Sequence, residues 1–286
     1  MTGLFHRLPL IRDLVALRTA AATLANAQRN LLALAADDAV RRILDSPKYR
    51  DPRRLNQYEA QVFSQSGEDG ILGEIFRRIG TTDRRFVEIG VGDGLENNTA
   101  YLLAGGWSGV WLEGSAESVR QATRNFREPV ASGRLVIHHG LVTAESIGPS
   151  LANLGVGAEP DLVSIDVDRN TYYVWQALSS CRPRAVVAEY NATVPPTDEW
   201  VVAYDPAKLW NGTNYFGASL KSYELLGRRL GYSLVGCGLA GTNAFFVRDD
   251  LVGGHFLPPY TAENHYEPPR YWLARIRPGQ RRCFAD

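Results

Sequence analysis

The chain has 286 residues, 45% hydrophobic and 22% charged, and its 31 basic and 31 acidic residues cancel. A chain of this length buries about 75% of its unfolded surface, so it needs no disulfide or structural metal to fold. Balanced charge excludes bulk electrostatic capture of nucleic acid or of an anionic membrane, and the composition is globular, not disordered.

Residues 9–44 are rich in Ala, Leu and Arg and contain no Gly. Leu10, Leu17, Leu24 and Leu31 recur every seventh residue, with Leu14, Ala21 and Ala35 on the adjoining edge. Such a repeat keeps one stripe facing a partner helix. Three readings stay open: an amphipathic helix lying on its own domain, an oligomerisation helix building a homo-oligomer, or a membrane-surface helix. Asp45-Ser-Pro ends the helix, and a polar, Arg-rich connector reaches Tyr58. The chain therefore divides into an N-terminal helical extension, 1–57, and a main domain, 58–286.

Beyond Gln61 the strand candidates are short apolar runs at Phe86–Ile89, Val110–Leu112, Leu135–Ile137, Leu162–Ile165 and Ala185–Ala188. Helical stretches lie between them, such as Leu95–Leu103, Glu117–Phe126 and Tyr172–Leu178. Continuous apolar strands separated by helices imply a mostly parallel sheet covered on both faces. Tyr232–Val235 and Ala244–Val247, joined by a Gly-rich turn, read as a terminal hairpin. The expected fold is α/β: a Rossmann-like, doubly wound sheet of seven strands with a C-terminal antiparallel hairpin. The cysteines Cys181, Cys237 and Cys283 are scattered and show no metal spacing, which points to a reducing cytoplasm. No apolar run is long enough for a transmembrane segment, and residues 1–17 lack the h-region and cleavage site of a signal peptide.

The segment Arg85-Phe-Val-Glu-Ile-Gly-Val-Gly-Asp-Gly-Leu-Glu runs from a strand into Gly90, Gly92 and Gly94. Glycines allow a tight turn and let a ligand approach the backbone. A dinucleotide fingerprint would need its third glycine where Leu95 stands. The E-x-G-x-G-x-G spacing, with Glu88 ahead of the first glycine, resembles the first motif of class I S-adenosylmethionine (SAM)-dependent methyltransferases. There the loop cradles the methionine part of SAM, whose cationic sulfonium and ammonium groups favour nearby carboxylates. Glu113 ends the second strand about 20 residues on, where a carboxylate can take both ribose hydroxyls; it is otherwise a solvated strand end. The segment Ser64-Gln-Ser-Gly-Glu-Asp-Gly is similar to FkbM-like methyltransferases, often associated with polysaccharide or natural-product synthesis. That resemblance implies Ser64, Gln65 and Glu68 as cofactor contacts, with a capped helix start as the alternative.

The fourth strand runs out as Ser164-Ile-Asp-Val-Asp-Arg-Asn and the fifth as Val187-Ala-Glu-Tyr-Asn. In a doubly wound sheet these ends are neighbours at the ligand crevice. Asp166, Asp168, Glu189 and Asn191 are hard oxygen donors suited to Mg²⁺ or Ca²⁺ and not to zinc, and the set is similar to the metal site of catechol-type and macrolide-sugar O-methyltransferases. That resemblance implies Asp166, Glu189 and Asn191 as metal ligands, although Tyr190 separates the acid from the amide and no histidine follows the strand-four acids. Alternatively, Asp168 and Asn170 cap the next helix and Glu189 pairs with an arginine. Asp168 and His265 are candidate bases; His138 and His139 are adenine contacts or packing residues. The long stretch 192–218 carries Trp200, Tyr204, Trp210, Tyr215 and Phe216 among polar residues, a surface that suits sugar rings.

The expected function is a SAM-dependent, metal-assisted O-methyltransferase acting on a hydroxyl of a saccharide or glycosylated product. The competing readings are an NAD-type oxidoreductase, disfavoured by the glycine spacing, and a non-catalytic scaffold of a glycan or natural-product assembly complex.

Overall fold

In the computed structural model the described residues are 9–178, 181–275 and 282–284. His6 and the side chain of Leu10 lie outside them. Helix α1 (Pro9–Leu44) spans the expected glycine-free stretch. Its stripe does not lie on the domain, because Leu17, Leu24 and Leu31 are 67, 71 and 67% exposed. Among the described residues its C-terminal half, from Arg29 to Val40, lines a groove shared with residues 59–67 and Leu273. No described helix is long and apolar enough to cross a membrane.

The chain then folds onto the sheet before the expected boundary at 57/58. Leu55 is buried against Gly236, and Asn56 Nδ2 donates to the Cys237 carbonyl at 2.8 Å. Next come α2 (Glu68–Ile79), β1 (Arg85–Ile89), α3 (Ala100–Ala104), β2 (Ser108–Glu113), α4 (Ala116–Asn125), α5 (Arg127–Ala131) and β3 (Leu135–His139). They are followed by α6 (Ile147–Asn153), β4 (Leu162–Ile165), α7 (Thr171–Ala177), β5 (Ala185–Glu189), α8 (Leu220–Leu230), β6 (Tyr232–Cys237) and β7 (Asn243–Arg248).

The seven-stranded sheet has the order β3-β2-β1-β4-β5-β7-β6. β1 to β5 pair in parallel, and β7 is antiparallel to both β5 and β6. Strand order therefore reverses between β1 and β4, and their C-terminal ends open the crevice where a doubly wound sheet takes its ligand. The central strands are buried on both faces, so alternate residues enter different cores. Val87 and Ile89 pack with Val163, Ile165 and Trp175, whereas Phe86 packs with Trp111, Leu162 and Phe245. Glu88 shares the face of Phe86 by the two-residue period of a strand, so the chain must satisfy a carboxylate under the crevice floor.

Candidate active site

Glu88 is satisfied by the chain itself. Its carboxylate accepts from Asn98 N at 2.7 Å, Thr99 N at 3.1 Å and Thr99 Oγ1 at 2.5 Å. Thr99 Oγ1 in turn accepts from the Trp111 indole at 2.7 Å. These bonds hold residues 96–99 as a loop and delay α3 to Ala100, shortening the helix expected from Leu95. Burial pushes the Glu88 carboxyl up to about 7. Glu88 thus acts first as the anchor of the loop that follows the glycines, and it lines the ligand cavity only from below.

Gly90, Gly92 and Gly94 all adopt positive φ, at 82, 57 and 81°. Gly90 lets β1 turn against β4: a Cβ there would lie 1.7 Å from the Asp166 carbonyl oxygen. The loop separates two cavities. One, of about 560 Å³, is lined by Glu113 and Ser115 after β2, Gly140, Leu141 and Val142 after β3, and Pro206, Leu209 and Trp210 from the long segment. The other, of about 330 Å³, is lined by the acidic residues Glu88, Asp93, Glu96 and Asp166 and by Gln65, Asn97, Asn98 and Asn243. Gly90, Gly92 and Asp166 belong to both. A pocket of about 80 Å³ at the opposite ends of β1 and β2 is too small for a nucleoside.

Glu113 reaches back over the loop. Its Oε2 accepts from Val91 N at 3.0 Å and Gly92 N at 2.9 Å, and Oε1 accepts from Ser115 N at 2.7 Å. It is therefore not a merely solvated strand end. His138 and His139 line neither cavity, and His139 instead contacts the Gly114 carbonyl.

Asp166, Asp168 and Glu189 converge as the two strand ends predict: one carboxylate oxygen from each lies within 4.8 Å of the others. Burial, then the charge of Asp168, drives the Asp166 carboxyl up to about 7. Burial, then Asp166 and Asp168, drives Glu189 well above the usual carboxylate range. Burial also raises Asp168. Glu189 Oε2 is buried with no hydrogen-bond partner, and no ion pair involves Glu189 among the described residues. Asp168 stands at φ 51°, a left-handed conformation that Asp tolerates better than most residues. Neither Asp168 nor Asn170 caps α7: Thr171 Oγ1 accepts from Val167 N, and Asn170 Nδ2 donates to the Asp205 carbonyl. Both helix-cap and arginine-pair alternatives are thereby set aside.

Three expected site residues are corrected. Asn191 is fully buried and spent on the chain: Nδ2 donates to the carbonyls of Asn214 at 2.8 Å and Phe216 at 3.0 Å, and Oδ1 accepts from Thr193. It closes the 192–218 segment into a loop and is no metal ligand. His265 sits in a helical turn (Ala262–His265) packed on α8 and β6, with Nε2 3.1 Å from the Leu257 carbonyl. Burial and the nearby Arg54 hold it down at about 3, so it is a neutral packing residue and not a base. Ser64 Oγ accepts from Asp69 N at 3.1 Å, and Asp69 Oδ2 accepts from the amides of Val62, Phe63 and Ser64. Ser64 is buried in this turn before α2, and of the pair only Gln65 faces the cavity. Glu68, likewise buried, accepts from Ser66 and from Asn243 Nδ2.

The 192–218 segment forms the outer wall. Arg169 and Asn170 hold it, with Asn170 donating to the Asp205 carbonyl and Arg169 donating to the Ala203 carbonyl and lying 5.1 Å over the Tyr215 ring. Trp210 and Tyr215 are each 49% exposed although they also pack within the loop, on Phe216 and Trp200, and of the two Trp210 lines the larger cavity.

No protein-family model matches the chain, and no curated protein matches it. Among solved structures it is similar to an O-methyltransferase from Bacillus cereus in complex with S-adenosylhomocysteine (SAH). Identity there is 20%, coverage 67% of this chain and 82% of that chain, and the TM-score 0.43. A SAM-dependent methyltransferase from Geobacter sulfurreducens, also with SAH, is 14% identical over 63% of this chain and 70% of that chain, with a TM-score of 0.38. One from Thiobacillus denitrificans gives the same figures of 14%, 63%, 70% and 0.38. The topology described above stands on the strand pairing and not on these likenesses.

Proposed function

We propose that this chain is a SAM-dependent O-methyltransferase, assisted by a divalent cation such as Mg²⁺, whose acceptor is a hydroxyl of a saccharide or glycosylated product. The observation that carries the reading is the pair of cavities divided by the glycine loop. The larger has nucleoside dimensions and a carboxylate, Glu113, at its edge; the smaller is walled by carboxyl groups. Those acidic walls would repel the pyrophosphate of a dinucleotide, whereas they complement a sulfonium and an ammonium group. Gly90 and Gly92 keep the loop thin enough for a ligand to lie against it.

The acidic cluster fits a cation: three carboxylates meet within ligand reach, and a buried oxygen of Glu189 lacks a partner. Asp166 and Glu189 would hold the ion, with waters completing its shell. When bound, such an ion lowers the pKa of an acceptor hydroxyl and orients it. Asp168, whose carboxyl burial raises above its ordinary value, would take the hydroxyl proton. The exposed rings of Trp210 and Tyr215 support a saccharide, whose C–H faces stack on aromatics while its rim finds polar partners. The exposed stripe of α1 supports a homo-oligomer joined through that helix.

In differential scanning fluorimetry SAH should raise the melting temperature and NAD should not; the reverse result overturns the cofactor assignment. A labelled-methyl screen over mono- and oligosaccharides should lose turnover in EDTA and regain it with Mg²⁺. Full turnover in the chelator removes the metal. Light scattering on Leu24→Asp should show a smaller particle than wild type if α1 joins the subunits, and an unchanged one refutes that joint.

A further inference from the structure

The small acidic cavity has two walls that are separate in sequence. One is the turn at 63–65, which carries Gln65 into the cavity, and the other is the run 93–98 after the glycines. The bridge comes from the far end of the chain. Arg282 donates through Nη1 to the carbonyls of Phe63 and, at 3.2 Å, Leu95, and through Nη2 to the Ser64 carbonyl at 2.9 Å. One guanidinium thus fastens both walls through their backbones, a task its planar, five-donor fork performs and a lysine ammonium does not. Two residues on, Phe284 seats the strap. Its ring lies 5.8 Å from Phe63 and 4.6 Å from Phe126, which is itself 4.7 Å edge-on to Trp111 beneath the loop.

We propose that Arg282 is a positioning residue of the cofactor cavity: the C-terminal strap 282–284 ties the Phe63–Gln65 turn to the glycine-loop exit and so fixes the cavity's width. The inference rests on the SAM reading for the identity of the occupant, but the mechanical coupling needs no ligand. Each wall keeps its own anchor, Asp69 for 62–64 and Glu88 for 98–99, so losing the guanidinium loosens the tie between the walls and is felt at both.

The test compares wild type with Arg282→Ala, Arg282→Lys and Phe284→Ala in the full chain. Hydrogen exchange without ligand should speed up in Arg282→Ala at both 62–66 and 95–98 and remain unchanged in the strands. The SAH dissociation constant should rise about tenfold as the cavity loses its fixed width, a loss of preorganisation and not of a contact to the ligand. Arg282→Lys should fall between Arg282→Ala and wild type, and Phe284→Ala should resemble Arg282→Ala. Unchanged exchange at either wall, or faster exchange with unchanged SAH affinity, overturns the proposal. A uniform rise in exchange across the sheet also overturns it, because that marks a general loss of stability. If wild type itself binds no SAH, the cofactor reading fails, and the exchange arm still decides the strap.

Discussion

Gly90→Ala is expected to abolish cofactor binding, and Gly92→Ala to weaken it while leaving the fold nearly intact. At Gly90 an added Cβ would meet the Asp166 carbonyl oxygen at 1.7 Å and its carbonyl carbon at 2.8 Å, from a backbone at φ 82°. The left-handed conformation alone costs about 1–2 kcal/mol for a residue with a side chain. The overlap with backbone cannot be relieved by a rotamer change, so β1 must part from the end of β4. A total of about 4 kcal/mol follows, in the range reserved for overpacking. The same displacement moves Asp166 away from Glu189, so SAH affinity should fall by about 100-fold or more. At Gly92 nothing lies within 4 Å of the added atom. The cost there is the conformational one, about 1 kcal/mol, but the methyl group projects where both cavities meet, so binding should weaken by about tenfold. Chemical denaturation and SAH titration on the two variants decide the matter. Equal stability loss at both positions would mean that Gly90 does not hold the β1–β4 contact.

Gly94 shows a third use of the same residue type. Its Cβ would meet Phe126 at 2.6 Å and Trp111 at 2.7 Å, so it is glycine for the sake of packing and not of the ligand. The sequence motif presents the three glycines as equals. Only the surroundings of each distinguish close strand approach, ligand approach and aromatic packing.

The strands were legible because burial on both faces writes a continuous apolar run, which local inspection detects. All seven expected strands occur, each extended at most by a few residues. The expected helix from Leu95 failed because Glu88 holds the amides of Asn98 and Thr99, a tertiary bond with no local signature. Convergence of Asp166, Asp168 and Glu189 was legible from topology, since adjacent parallel strands bring their ends together. Asn191 looked like a fourth member because it stands two residues past Glu189. Its amide, however, turns to carbonyls at 214 and 216, and carbonyls leave no mark in a sequence. His265 was misread for a related reason. Chemistry favoured an imidazole base, but its packing against α8 and β6 keeps it from the crevice. Arg282 carried no signal, because the acceptors by which it ties the two walls are backbone oxygens, which leave no mark in a sequence.

Asp166→Asn is expected to stabilise the protein at alkaline pH while removing its activity. A carboxyl normally titrating near 3.8 is raised here to about 7 by burial and by Asp168. Between those two values the folded state holds a proton that the unfolded state has released, so stability falls as pH rises through that window. The contribution is present in full below the ordinary pKa and is lost once pH passes about 7. A shift of this size would nominally correspond to about 4 kcal/mol; water at the open rim of the cluster reduces it to about 2 kcal/mol. Replacing Asp166 by its neutral isostere should therefore raise the melting temperature by about 4 °C at pH 8 and leave it unchanged at pH 4. Glu88, also raised to about 7, titrates in the same sense, so the reading is the difference between variant and wild type and not the slope of either alone. The cation tests the same charge from the other side. If the cluster takes Mg²⁺ as proposed, the ion competes with protons there, so its stabilisation of wild type should grow from pH 5.5 to pH 8 and vanish in Asp166→Asn. On the proposed function, methyl transfer should fall by about 100-fold or more in the variant, the scale expected if Asp166 holds the cation. A variant no more stable than wild type at pH 8 would show that the three carboxylates do not repel one another. In that case neither cation nor proton is needed to hold the ends of β4 and β5 together.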